Sequence, residues 1–440
     1  MAPRQARPRL LQAMIDAFSL PDLRRRILIT LGILVVFRFM AHVPLPGVDA
    51  QALADLFERN AMLGMFDLFS GGALRYFSIM ALGVFPYITA SIVMTLMTPI
   101  IPPLAALARE GEAGRNRINL ITHWLTVPMA GMAGYGQMVL LQREGALASA
   151  ELLPTVAMIT AMVAGTLFLV WLGEQITQFG IGNGVSIIIF AGIVAGLPEM
   201  VGQGFLTGEQ GQLLGLAVFL AIALVATVVI VIFTEAHRRI PVQYAKTVIR
   251  SGRMYRQAGS THIPLRVNTA GMIPLIFAMS LVIFPSVIAS YFANPAGTDP
   301  NFANTIMNLF DPNAALPLGL FYWGLYFLMV VSFAFFYTKI IFQQQDLSGT
   351  LQRQGGFIPG IRPGKQTAGY LDGVINHITW AGALFLAGIA IMPFVAREVT
   401  NVQVIQLSSF GMLIVVGVVL DTMKQLEAQL VMRRYEGFIK

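Results

Sequence analysis

Hydrophobic residues gather in ten runs divided by polar or Gly/Pro-rich segments. Through a window of ~19 residues the runs fall at about 27–43, 76–101, 118–141, 154–173, 183–201, 213–234, 269–293, 318–342, 377–395 and 407–420. An α-helix needs ~20 such residues to cross a bilayer, so each run predicts a membrane span. The third, fourth, sixth and eighth are long and clean, and the tenth is short but carries "MLIVVGVVL". Buried core helices also give apolar runs, but ten in one chain favour a membrane. Arg24-Arg25-Arg26 ahead of the first run resembles the basic region of a signal peptide. No small-x-small cleavage site follows it and nine more runs do, so it is read as a retained anchor.

Composition agrees. Of 440 residues, 56% are hydrophobic and 12% charged, against about 25% charged in a soluble domain, and the mean hydropathy is +0.70. A soluble enzyme, a disordered chain and a fibrous one are excluded. The absence of cysteine excludes disulfides, thiolate nucleophiles, iron–sulfur ligation and cysteine-bound zinc. His42, His123, His237, His262 and His377 show no metal spacing, so no metal or cofactor is expected. The net charge of +7 is read from its distribution. With the N-terminus in the cytoplasm, the inner segments hold 23 Lys and Arg and the outer ones 4, while Arg38 and Lys339 lie within spans. That asymmetry fixes the orientation, puts both termini inside, and accounts for most of the charge without nucleic acid.

The expected fold is all-α and integral to the membrane: ten transmembrane helices in two inverted five-helix halves, with a short re-entrant plug helix. A cytoplasmic N-terminus (1–26) precedes the N-terminal half (27–201), then an outer loop and span six (202–234). Two cytoplasmic loops (235–268 and 343–376) flank spans seven and eight (269–342), and spans nine and ten (377–420) lead to a cytoplasmic tail (421–440). The two loops are far longer than a usual connection, and "GGFIPGIRPGK" sets tight turns that present arginines to solvent. They read either as docking posts for a large partner or as solvated segments that set topology.

Residues 62–98, "MLGMFDLFSGGALRYFSIMALGVFPYITASIVMTLMT", open with an apolar piece too short to cross a bilayer, closed by Ser70-Gly71-Gly72. Such a piece is stable at membrane depth only when enclosed in protein or lining a cavity. It is either a movable plug hinged at the glycine pair or an amphipathic helix on the outer leaflet. The following span is interrupted by Gly83 and Pro86, and the seventh by Gly271, Pro274 and Pro285. Interruptions at the same ordinal place in two halves point to the functional path of an inverted-repeat protein. No carboxylate lies at the centre of any span, which argues against an ion-coupled transporter. Val84, Ile88, Ile189, Ile276 and Ile414 stand at mid-depth instead, as a ring that excludes ions by dewetting or as ordinary packing.

"SGGALRYFSIMALGVFPYITASIV" (70–93), "WLGEQITQFGIGNGVSIIIFAGIVAGLP" (171–198) and "GGFIPGIRPGKQTAGYLD" (355–372) closely resemble signature segments of the SecY family of protein-conducting channels. "RRIPVQYAK" (238–246) and "STHIPLRVNTAGMIPLIF" (260–277) add to the match, which covers essentially the whole chain. The resemblance implies a pore ring of Val84, Ile88, Ile189, Ile276 and Ile414. It implies a plug over residues 62–72, with Met62, Phe66, Asp67, Phe69, Ser70, Gly71 and Gly72, and a lateral gate between spans two and seven. Arg362 matches the arginine that couples the channel to the SecA ATPase motor. With Arg253, Arg256 and Lys365 it would form the surface that docks motor or ribosome. Implied partners are SecE-like and SecG-like small membrane subunits, SecA, the ribosome, membrane lipid, and secretory and membrane polypeptides carrying signal sequences. The implied location is the bacterial plasma (inner) membrane.

Two positions depart from the family pattern. Where Tyr-Thr-Arg is usual just after the entry to span three, this chain has Ile121-Thr122-His123, so a fixed charge gives way to a titratable one. Val84 stands where isoleucine is common. No Walker loop, Ser/His/Asp spacing or paired intramembrane carboxylates appear, so the expectation is a passive conduit that translocates unfolded chains and releases apolar segments sideways, not an enzyme. The alternative is a secondary transporter for a small solute.

Overall fold

The computed structural model describes residues 20–59, 67, 70–143, 146–147, 152–206, 210–250, 253–290, 292, 301–311, 314, 317–345, 347–400 and 409–436. Among these, ten helices of 16 residues or more form, one on each apolar run. They are α1 (Pro21–Met40), α3 (Phe85–Ile100), α5 (Glu112–Arg143), α6 (Leu152–Phe179), α7 (Gly184–Leu206), α8 (Gln210–Glu235), α9 (Ile273–Ser290), α11 (Leu318–Gln345), α13 (Lys365–Thr400) and α14 (Ser409–Glu436). Shorter helices are α2 (Ala50–Arg59), α4 (Pro102–Arg109), α10 (Phe302–Leu309) and α12 (Leu347–Arg353). By length and composition alone, three segments are sufficient to cross a membrane: Leu152–Phe179, Leu318–Arg353 and Lys365–Met392. The pair α3 and α4, bent by 97°, qualifies together as a fourth. The bend falls at Ile101, whose ψ of 112° is extended, as the residue before a proline must be.

The second run departs from its expected course. Only residues 85–100 are helical, and residues 71–84 run through turns. The cause is local and recurs in the second half. Gly83 and Gly271 adopt left-handed φ values of 56° and 64°, which only glycine takes without steric cost. Two residues later a helix begins, with Pro86 or Pro274 in its first turn, where a missing N–H costs nothing. Gly83-Val84-Phe85-Pro86 and Gly271-Met272-Ile273-Pro274 are thus the same start signal, and both glycine breaks sit at helix starts, whereas Pro285, expected as an interruption, lies inside α9, which continues to Ser290. Phe77, in the turn-rich stretch, holds a φ of 40° while fully buried, so packing there outweighs backbone strain.

The mostly helical fold has one exception, on the two long loops. β1 (His237–Arg250) pairs antiparallel with β2 (Arg253–Arg266) from His237↔Arg266 to Arg250↔Arg253, an arm about 45 Å long at the rise of a strand. β1 also pairs with β3 (Gly356–Phe357) through Gln243↔Phe357 and Tyr244↔Gly356, giving the order β2-β1-β3. The loops therefore form one body rather than two posts. Its core is Ile240, Val242 and Leu265 packed on Leu351, Ile358 and Leu371.

The main core is a single apolar cluster drawing on α1, α6, α7, α8, α9, α11, α13 and α14 and on the turns ahead of α3. A second core under α5 and α6 holds Leu53, Leu74, Phe77, Met138 and Met162. Because the turn segment 71–84 feeds both cores, it is fixed by packing rather than by helical hydrogen bonds.

Candidate functional site

Val84, the residue before α3, is fully buried in the main core. Ile189 on α7 and Ile414 on α14 are buried in the same cluster, and Ile88 packs against it from α3. Ile276 on α9 is also buried, beside Leu275 and Ala278 of the cluster. Val84, Ile189 and Ile414 thus belong to one apolar cluster, which the half-buried Ile88 borders, while Ile276 is buried on α9 next to members of that cluster.

Directly against this core lies the glycine turn. Gly71 and Gly72 take left-handed φ values of 70° and 83°. The Gly71 backbone touches α7 at Gly192, where a Cβ would overlap the Gly71 Cα, and a Cβ on Gly71 would meet the Phe37 ring of α1 at 2.7 Å. Gly192 stands one helical turn beyond Ile189, so the seat of the turn and the aliphatic residue belong to one stretch of α7.

Polar contacts fasten the turn. The Arg38 guanidinium donates from Nη1 to the Gly71 carbonyl at 2.9 Å. The Asp67 carboxylate accepts from the Arg75 backbone N–H at 3.0 Å and from the Ser70 hydroxyl at 3.3 Å, and lies 3.4 Å from Arg75 Nε. The Ser70 hydroxyl also accepts from the Leu74 N–H at 3.0 Å. Burial pushes the Asp67 carboxyl above its ordinary value, against the opposing pull of Arg75 and of the hydrogen bonds it accepts. Sequence reasoning placed Asp67, Ser70 and the glycines in the plug but missed Arg38 and Arg75. Met62, Phe66 and Phe69 lie outside the described residues.

Arg362 is exposed on the turn between β3 and α13, its carbonyl accepting from the Thr367 hydroxyl at 2.9 Å. Lys365 is the exposed first residue of α13. Arg253 and Arg256 occupy the tip end of β2, opposite Arg250 and Thr247. His123 on α5 puts Nε2 3.2 Å from Glu174 Oε1 on α6, close enough for an ion pair but outside hydrogen-bond alignment, and its ring lies 5.7 Å from that of Tyr87. The departure from the family pattern thus still sits in a polar cluster. Among the described residues no group of three or more His, Asp or Glu is placed to hold a metal ion.

Comparison with known proteins decides the family. The family model described as SecY matches residues 78–423. A protein translocase subunit SecY of Streptomyces scabiei is 41% identical over 452 residues, covering 98% of this chain and 100% of that protein. This chain belongs to the SecY family. Two solved structures share the fold. One is described as a protein conducting channel, with a TM-score of 0.64 at 15% identity over 95% of this chain and 97% of the other. The second concerns the SecY plug domain, described as stabilising the closed state and maintaining a membrane seal, with a TM-score of 0.62 at 16% identity over the same shares. The span matched by the SecY model includes Val84, Ile88, Ile189, Ile276, Ile414 and Arg362, and begins just after the glycine turn.

Gly192→Ala should force the Gly71 turn off α7, at a cost of about 1–3 kcal/mol for overpacking. The expected outcome is a lower melting temperature and a raised ion conductance in planar bilayers; an unchanged variant would remove the seat. Asp67 gives a pH signature. With its folded value raised above 3.8, its contribution to stability is complete below that value and is lost as pH rises through the raised one. Asp67→Asn should flatten the fall in melting temperature across that window, measured from pH 4 upward.

Proposed function

We propose that this chain is the channel subunit of a SecY-type protein translocase, which passes unfolded polypeptides across the bacterial plasma membrane and releases apolar segments sideways into lipid. The observation that supports this reading is the buried apolar cluster that contains Val84, Ile189 and Ile414 and is bordered by Ile88, with Ile276 buried next to its members, in a chain whose relatives are translocase subunits along their full length. Such a waist stays dry and resists ions, yet binds nothing directionally and so yields to a threading chain.

The rest of the mechanism follows from the same pieces. Residues 62–72 act as the plug, with Gly71 and Gly72 as its hinge seated on α7. The helices α3 and α9, with their matching Gly-x-x-Pro starts, form the lateral gate. A segment in the waist then partitions by its own hydrophobicity: each Leu or Ile gains roughly 0.3–0.6 kcal/mol at mid-bilayer, while a Lys or Asp costs about 2.5–3.5. Its sequence shows no Walker loop or catalytic triad spacing, and in this reading the energy comes from outside. The sheet of β1, β2 and β3, with Arg253, Arg256, Arg362 and Lys365, is the cytoplasmic surface for a SecA-like ATPase motor or the ribosome. Ten spans with both termini in the cytoplasm, clamped by SecE-like and SecG-like subunits, complete the proposal. A small-solute transporter is disfavoured by the family and by the lack of carboxylates at mid-span.

Deleting residues 62–69 should raise conductance in planar bilayers well above that of the parent channel; a bilayer that stays silent would sink the plug. Arg362→Glu should abolish ATP-driven export into vesicles while the membrane subunits still co-purify. Normal export by that variant would refute its coupling role.

A further inference from the structure

The arm formed by β1 and β2 is anchored at both feet to one helix. Glu235, the last residue of α8 and two residues ahead of β1, lies 2.6 Å from Lys424 Nζ on α14. Arg266, the last residue of β2, points Nη1 at Asp421 of the same helix at 3.9 Å. The feet are themselves closed together by the Val267 N–H donating to the Ala236 carbonyl at 2.9 Å. Asp421 and Lys424 are three residues apart and are therefore neighbours on the helix surface. Ile414 lies seven residues before Asp421, about two helical turns up the same rod. Another face of α14 is held by Met423 and Leu426 packed on Leu23 and Ile181. A cavity of about 260 Å³, bordered by Asn183, Thr422 and the charged groups Arg266, Asp421 and Lys424, leaves this end of α14 room to shift.

We propose that Glu235–Lys424 and Arg266–Asp421 form a charged latch through which the cytoplasmic arm holds α14, and with it Ile414, in the sealed position. These four are positioning residues at the foot of the arm, at the opposite end from Arg253 and Arg256 near its tip. The proposal rests on the reading of the arm as a docking surface and of Ile414 as part of the seal. Load on the arm is carried to its feet, because a paired two-stranded ribbon moves as one piece. From the feet it passes to α14 through contacts that are exposed and individually weak, and which therefore break and re-form under modest force. The latch transmits an event at the cytoplasmic surface to the waist without any rearrangement of the core.

The test uses the whole channel complex in planar bilayers, recording resting conductance and its rise on adding the ATPase motor with ATP. Glu235→Lys and Lys424→Glu, made singly, should each raise resting conductance about fivefold, the population shift given by ~1 kcal/mol of lost pairing, and should lose most of the motor-induced rise. The double variant, with the pair reversed, should return both quantities to near the parent values; Arg266→Asp and Asp421→Arg should show the same pattern, more weakly at their longer distance. Single variants that behave as the parent does, while the parent responds to the motor, would overturn the latch alone. So would a double variant as leaky as its singles, because the defect would then be local damage rather than lost pairing. A parent channel indifferent to the motor would overturn the docking reading and the latch with it.

Discussion

Everything in this molecule depends on dispersion contacts between aliphatic side chains that meet from distant parts of the sequence. Val84 ahead of α3, Ile189 on α7 and Ile414 on α14 are buried in one cluster without a hydrogen bond or ion pair among their side chains to hold them. Dispersion has no preferred direction, and each atom pair contributes only about 0.1–0.2 kcal/mol. In the proposed channel a seal of this kind would be tight when its members touch. It is easily reopened, because parting them leaves no buried polar group unsatisfied. A polar constriction would impose the opposite economics: each opening would have to break directional bonds, and each passing residue would meet a partner able to hold it.

The polar groups are correspondingly kept to the borders. Arg38, Asp67, Ser70 and Arg75 fasten the glycine turn on one side of the apolar body. Glu235, Arg266, Asp421 and Lys424 tie the cytoplasmic arm on the other. The two sets differ in character. Asp67 is almost fully buried, so its contacts are short-ranged and resist salt. The arm's ion pairs are largely solvated, so they weaken as ionic strength rises.

The helices were legible because a bilayer demands about 20 apolar residues for each crossing, and all ten runs became helices. The start of α3 was not. Phe77, Met80, Ala81 and Leu82 are apolar because they are buried in turns, and hydropathy cannot separate that from a span. The Gly-x-x-P spacing shared with α9 was the available signal. The arm was missed although Ile240, Val242 and Tyr244 alternate as a strand requires; Pro241 between them, which cannot donate to a ladder, and the charges around them masked the period. Five aliphatic positions were read at mid-depth from the apolar runs, but only family resemblance favoured a ring over ordinary packing, since an isoleucine in a greasy helix carries no mark of its own. Pairs such as Asp67 with Arg75, or His123 with Glu174, come together only through folding, and one chain alone gives no trace of them.

The weakness of the arm's ion pairs is best understood as a requirement. In the proposed mechanism a docking partner delivers a limited push, and an apolar waist would need only a small one to part. If the feet of the arm were joined to α14 by a buried, fully hydrogen-bonded network, breaking it would leave charges stranded at a cost of about 3–5 kcal/mol. If no contact joined them, the arm would swing without effect. Exposed pairs of roughly 0–1 kcal/mol each fall between these limits: two in parallel bias α14 toward the closed position, and neither resists once the arm is loaded. Charge in this chain is sparse within the apolar runs and concentrated where helices leave them, and in the proposed latch it would serve gating as well as orientation.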